Sequence, residues 1–139
     1  MAVSFNLEVE FNLKERLKIK RWIKTVVENA GMKLGTLSYI FCSDEKILEV
    51  NRQYLSHDFY TDIITFDYVE RNVVNGDIFI SVDRVKDNAV EYGVSFEEEL
   101  KRVIIHGVLH LLGLEDHSEQ ESERMRQEED KALLLYKTL

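Results

Sequence analysis

The chain has 139 residues and a net charge of −8, a size that suits one domain built around one core. The negative charge disfavours non-specific binding to phosphate backbones, and no apolar run reaches the roughly 18 residues of a membrane span. No signal-peptide pattern is present, and the single cysteine, Cys42, fits a reducing compartment. We therefore expect one cytoplasmic domain over residues 1–139, without membrane association.

The periodicity of apolar residues predicts nine elements, which alternate between strand and helix in the first half of the chain. In chain order they are a strand (3–10), a helix (13–30), a strand (35–42), a helix (44–55), two strands (63–69 and 77–82) and three helices (83–92, 96–112 and 119–137). This order favours an α+β fold, in which a small, mostly four-stranded mixed sheet packs with helices. The helix 96–112 is apolar nearly all round from Val103 onward, as expected of a central buried helix.

Polar residues at the predicted boundaries support these helices and turns. Asn12 with Glu15 resembles a capping pair, Ser43 can cap the second helix, and Ser95–Glu98 and Ser118–Glu121 match the capping box. The dipeptide Asn75-Gly76 is a strong turn signal between the last two strands.

The segment HGVLHLLGLEDH (106–117) predicts a metal site on the central helix. His106 and His110 are four residues apart and therefore lie on one helical face. Gly113 can end the helix with a sharp turn, after which Asp116 or His117 can supply a third ligand. Three protein ligands leave one position of a tetrahedral zinc for water, which is the pattern of a catalytic site.

Gly107 distinguishes this segment from the metalloprotease motif H-E-x-x-H, in which a glutamate after the first histidine acts as general base. Peptide hydrolysis therefore lacks its usual proton acceptor. A metal still lowers the pKa of its water to about 7 and polarises a phosphoryl oxygen, so phosphodiester cleavage is chemically reasonable. No catalytic residue beyond the metal ligands is assigned, and Glu115 is expected to be a solvated loop residue.

The same segment resembles the signature H-G-x-L-H-L-x-G-Y-D-H of the YbeY family of bacterial metal-dependent endoribonucleases. NRQYLSHDFYTDIITFDY resembles the family segment L-N-x-x-Y-R-x-x-D-x-x-T-D-V-L-S-F-P, and NGDIFIS resembles its G-D-I strand, so the resemblance covers residues 43–131. It implies a metal-dependent endoribonuclease that is specific for single-stranded RNA. The donor types themselves suit one zinc ion with a metal-activated water, and they also admit nickel or iron. The resemblance also implies a role in the maturation of small-subunit ribosomal RNA and in ribosome quality control. The implied partners are RNA and ribosome-associated proteins, but not DNA.

The chain departs from the family pattern in three places. In the family the third ligand is a histidine ten residues after the first one. Counted from His106, that position is Asp116 here, and His117 follows one residue later. We favour Asp116, because this register needs no insertion and a carboxylate is a legitimate zinc ligand. Leu55 stands where the family commonly has arginine, and Asp67 where it has proline. Two alternatives therefore stay open: a non-catalytic ribosome-associated factor with a structural metal, and a metal-dependent hydrolase of another ester or amide.

Three further residues or segments have simple expected roles. Cys42 is expected to be a small core residue, and His57 a solvated loop residue. The basic residues between Lys14 and Lys24 are expected to form the solvated face of the first helix.

Overall fold

A computed structural model of the protein describes residues 2–56 and 61–139, so the predicted role of His57 lies outside the described residues. The described part contains four strands and five helices. They are β1 (Ala2–Leu7), α1 (Arg16–Asn29), β2 (Lys33–Cys42), α2 (Asp44–Leu55), β3 (Ile63–Asp67), β4 (Val73–Ser81), α3 (Val82–Tyr92), α4 (Phe96–Leu111) and α5 (Glu119–Thr138). Within these ranges no helix combines the length and apolar character that crossing a bilayer requires.

The four strands form one mixed sheet in the order β1-β2-β4-β3. β1 and β4 run parallel to β2, whereas β3 pairs antiparallel with β4 and forms an edge of the sheet. This architecture confirms the predicted α+β fold with a small mixed sheet.

The turn between β3 and β4 lies earlier than the sequence predicted. Glu70 and Val73 exchange two backbone hydrogen bonds, and Arg71 between them has a φ of 56°. Asn75 and Gly76 lie inside β4, so the turn prediction for this dipeptide was wrong. The Asn75 side chain is used across the sheet instead: its Oδ1 accepts a hydrogen bond from the Thr36 amide at 2.8 Å, where β2 is irregular.

Serine side chains cap four of the described helices, α2 to α5. The hydroxyls of Ser43, Ser81, Ser95 and Ser118 each accept a hydrogen bond from an amide in the first turn, and Ser118 with Glu121 forms a complete capping box. The predicted capping pair of α1 was wrong. Its N-cap residue is Glu15, in a left-handed conformation without a side-chain cap, and the carboxylate accepts a hydrogen bond from the Tyr136 hydroxyl on α5 at 2.9 Å.

Helix α4 is buried against the sheet and is flanked by α1, α3 and α5. Nine of its residues are buried, which confirms its predicted central position. Two buried hydrogen bonds tie elements together: the Tyr39 hydroxyl donates to the Ile104 carbonyl at 2.9 Å, and the Trp22 indole donates to the Ala132 carbonyl at 2.7 Å. A second, smaller cluster beneath α2 contains Cys42, which is fully buried as predicted.

The basic residues around α1 are mostly solvated. Lys14, Arg16, Arg21 and Lys24 are exposed, in agreement with the prediction, whereas Lys18 and Lys20 are half-buried. The ammonium group of Lys18 lies 4.2 Å from the centroid of the Tyr136 ring, and this contact partly covers the C-terminal helix.

Candidate metal centre

The two histidines of α4 project from the same helical face. The ring centroids of His106 and His110 are 4.5 Å apart, with an angle of 85° between their planes. Their side chains are 19% and 25% exposed, so the rings are partly desolvated but reachable from solvent.

The turn after α4 orients His110. Gly113 has a φ of 102°, and the amides of Gly113 and Leu114 donate to the carbonyls of His110 and Leu109, both at 3.0 Å. These two bonds form a Schellman motif, in which a positive φ after the helix favours glycine. The turn brings the Leu114 carbonyl to 2.9 Å from His110 Nδ1. Because a carbonyl only accepts, Nδ1 carries the proton and Nε2 is free to bind a cation.

Asp116 completes a three-residue group with these histidines. Its Oδ2 lies 3.5 Å from His106 Nε2, and its Oδ1 lies 3.7 Å from His110 Nε2. Candidate ligand atoms of the three residues all lie within 4.8 Å of one another, and no other such group occurs in the described part of the chain. Tetrahedral zinc with bonds of about 2.0–2.1 Å holds neighbouring ligand atoms about 3.4 Å apart, so the donor set and its spacing fit this metal.

His117 lies outside this group. Its side chain is 79% exposed, and its Nε2 is 2.8 Å from a carboxylate oxygen of Glu115. The structure therefore brings together His106, His110 and Asp116 of the four predicted ligands, while the identity of the third ligand stays a prediction.

Gly107 faces the sheet and not the three-residue group. A Cβ atom at this position would lie 2.9 Å from Ile78 Cδ1 and 3.1 Å from Ile63 Cδ1. A glutamate at position 107 would meet β4 before it could reach a cation between the histidines. The missing side chain therefore allows α4 to lie close to the sheet.

A carboxylate on α5 contacts the outer nitrogen of His106. Glu129 Oε2 is 2.6 Å from His106 Nδ1, and Glu129 Oε1 accepts from Arg102 Nη1 at 2.8 Å. Sequence reasoning missed this contact. The available signal was the position of Glu129 on the buried stripe of α5, where it lies with Met125, Ala132 and Tyr136.

These contacts shift two pKa values. Burial lowers the pKa of His106, but the hydrogen bond and charge of Glu129, together with the charges of Asp116 and Asp62, outweigh burial and raise it. Burial raises the pKa of Glu129, but the hydrogen bonds from His106 and Arg102 outweigh burial and lower it. Both effects hold opposite charges next to each other in the metal-free protein.

Two surface depressions border the three-residue group. One, of about 390 Å³, is lined by His110 together with Leu55, Thr61 and Thr65. The other, of about 240 Å³, is lined by His106 and Asp116. A cation held by the three donors would therefore be accessible to an extended substrate that lies along β3.

Comparison with known proteins identifies the family. The sequence profile described as Endoribonuclease YbeY matches residues 6–137. The chain belongs to the YbeY family. It is 52% identical over 136 residues to an Endoribonuclease YbeY of Parabacteroides distasonis, a match that covers 97% of this chain and 96% of the relative. It is 51% identical over 136 residues to one of Bacteroides thetaiotaomicron, covering 97% and 99% of the two chains.

A solved structure is similar to this YbeY-family protein in fold as well. The solution structure of TM1509 from Thermotoga maritima superposes with a TM-score of 0.70 at 28% sequence identity, covering 95% of this chain and 87% of that one. Together these findings confirm the predicted family, and with it the predicted assignment to the endoribonucleases.

Proposed function

We propose that this protein is a single-strand-specific endoribonuclease that uses one bound zinc ion, in the maturation of small-subunit ribosomal RNA and in ribosome quality control. The observation that carries the proposal is the convergence of His106, His110 and Asp116 in a chain of the YbeY family. The activity would reside in a single domain of residues 1–139 in the cytoplasm. Its partners would be RNA and ribosome-associated proteins.

The donor chemistry supports zinc as the ion. Two imidazoles and one carboxylate form a common set of three ligands in catalytic zinc sites, although nickel and iron accept the same donors. A divalent cation held there supplies Lewis-acid chemistry, because it acidifies water and polarises a phosphoryl oxygen.

The chain's own residues would hold the metal and position the substrate. The depression beside His110 presents the side chains of Thr61 and Thr65, whose hydroxyls can donate hydrogen bonds to an RNA backbone. Leu55, which is 39% exposed, adds apolar surface there, and the carboxylates of Asp67 and Glu115 also line the depression. An extended single strand of RNA can pass along β3. Proteins recognise an A-form duplex mainly through its wide minor groove, which calls for a different kind of surface. Glu115 pairs with His117 and has no assigned role in the reaction.

The test is cleavage of a fluorescent single-stranded RNA by the zinc-loaded full chain. The same RNA annealed to its complement and a DNA of the same sequence are the matched substrates. We expect internal cleavage of the single-stranded RNA alone, and cleavage at background level for His106→Ala and His110→Ala. Cleavage that persists in both variants after treatment with a chelator would refute the proposal.

Metal analysis of two further variants tests the ligand assignment. Elemental analysis of the purified chain identifies the ion. Asp116→Ala is expected to lose it, whereas His117→Ala keeps it, and the reverse pattern would assign the third position to His117. A metal-loaded chain that loses thermal stability on chelation but cleaves no RNA would favour the structural-metal alternative.

A further inference from the structure

The Nδ1 atoms of His106 and His110, which are not the ring nitrogens nearest Asp116, have different kinds of hydrogen-bond partner. His110 Nδ1 donates to a backbone carbonyl of its own turn, at Leu114. His106 Nδ1 lies 2.6 Å from a carboxylate oxygen of Glu129, which belongs to the distant helix α5. An ionised carboxylate only accepts hydrogen bonds, so the His106 proton lies on Nδ1 and Nε2 faces Asp116.

Glu129 is held in place from its other side. The residue is only 5% exposed, and its second oxygen accepts from Arg102 Nη1 at 2.8 Å. Arg102 also donates to Asp130 at 2.7 Å, so its guanidinium is fixed by two neighbouring residues of α5. Because Arg102 precedes His106 by one turn on α4, the contacts close a ring between the two helices.

We propose that Glu129 is a positioning residue of the metal centre: it fixes the orientation of the His106 ring and directs Nε2 to the cation, and Arg102 holds it there. This inference rests on the proposed function, because it assumes that His106 is a ligand. Partners of this kind orient metal-bound histidines and raise their basicity, and their loss typically weakens metal binding about 10- to 100-fold.

Replacement of Glu129 by glutamine tests the two hydrogen bonds of its carboxylate with little change in side-chain shape. A carboxylate accepts hydrogen bonds from His106 and Arg102 at the same time. The amide of Glu129→Gln has nearly the same shape but only one acceptor oxygen, so its NH₂ group must face one of the two donors. The adjacent Glu128→Gln is the matched control, because Glu128 pairs with Lys131 on the surface of α5.

The experiment measures zinc affinity of the full chain by competition with a chromophoric chelator, without RNA. We expect zinc binding at least about 10-fold weaker for Glu129→Gln, and unchanged binding for Glu128→Gln. Equal affinity of Glu129→Gln and the unaltered chain would overturn the inference while leaving the proposed function intact. If the unaltered chain bound no zinc, the proposed function would fail and the inference with it.

A second measurement needs no variant and separates positioning from a merely structural ion pair. In the metal-free chain at alkaline pH, ¹⁵N chemical shifts of the histidine rings report which nitrogen carries the proton. We expect the Nδ1–H form for His106. A predominant Nε2–H form would overturn the inference, because Glu129 would then fail to direct Nε2 to the cation.

Discussion

Replacement of Gly107 by alanine tests whether the close approach of α4 to the sheet depends on the missing side chain. The new Cβ would lie 2.9 Å and 3.2 Å from two carbon atoms of Ile78, and 3.1 Å from Ile63 Cδ1. Carbon atoms normally pack at about 3.5–4.0 Å, so these atoms must separate by about 0.5 Å. Either α4 must shift away from the sheet, or the side chains of Ile78 on β4 and Ile63 on β3 must both move.

Two opposing effects determine the magnitude. Overpacking of a close-packed core costs about 1–3 kcal/mol, whereas alanine within a helix is favoured over glycine by about 1 kcal/mol. We therefore expect Gly107→Ala to lower the free energy of unfolding by about 1 kcal/mol, which corresponds to a fall in Tm of about 4 °C in a domain of this size.

The assay is urea and thermal unfolding of the metal-free chain in four forms: unaltered, Gly107→Ala, Ile78→Val and the double variant. Ile78→Val removes the closest atom, Cδ1. On its own this change should cost about 0.5–1.5 kcal/mol, but in the chain that already carries Gly107→Ala it should cost less, because it relieves the contact. A Gly107→Ala chain as stable as the unaltered one, or additive effects in the double variant, would refute the packing argument.

Three other changes probe separate features. Gly113→Ala meets no atom within 4 Å but must keep a φ of 102°, so thermal unfolding should show a loss of about 1–2 kcal/mol; unchanged stability would contradict the strained turn. Burial, with the charge of Asp62, raises the pKa of Glu99 above its ordinary value of 4.5. The folded state therefore binds this proton more tightly, and its contribution to stability is lost as the pH rises. Glu99→Gln should accordingly raise Tm at neutral pH, and this advantage should vanish below pH 4.5; a pH-independent difference would exclude the carboxyl as its cause. Leu55→Arg should tighten binding of single-stranded RNA and steepen its dependence on log salt concentration by about 0.7; an unchanged slope would show that this position does not contact phosphate.

Features with local causes were predictable from the sequence. The serine caps of α2, α4 and α5 follow from hydrogen bonds that span three residues, and the histidine pair follows from helical periodicity alone. The turn at Gly113 that precedes Asp116 was equally readable, because a helix that ends at glycine has few conformations available.

Features that depend on distant residues were not predictable. Glu15 resembled half of a capping pair, but its carboxylate bonds to Tyr136 near the other end of the chain. Asn75 resembled a turn residue, but its side chain bonds to the amide of Thr36 in the neighbouring strand. In the sequence Glu129 is one of several charged residues of α5, and only the packing of α5 against α4 shows that it touches His106.

The attachment of α5 has a consequence for the order of assembly. The Trp22 indole donates to the Ala132 carbonyl, 110 residues further along the chain, and closing a loop of that length costs conformational entropy that the docking of α5 must offset. A chain with α4 in place but α5 undocked would present the histidines without Glu129. Because the undocked state would bind zinc about 10- to 100-fold more weakly, zinc at 100 times the Kd of the docked state would favour docking by about 1–2 kcal/mol. Amide hydrogen exchange in α5 should therefore slow when zinc is added, even in the absence of RNA.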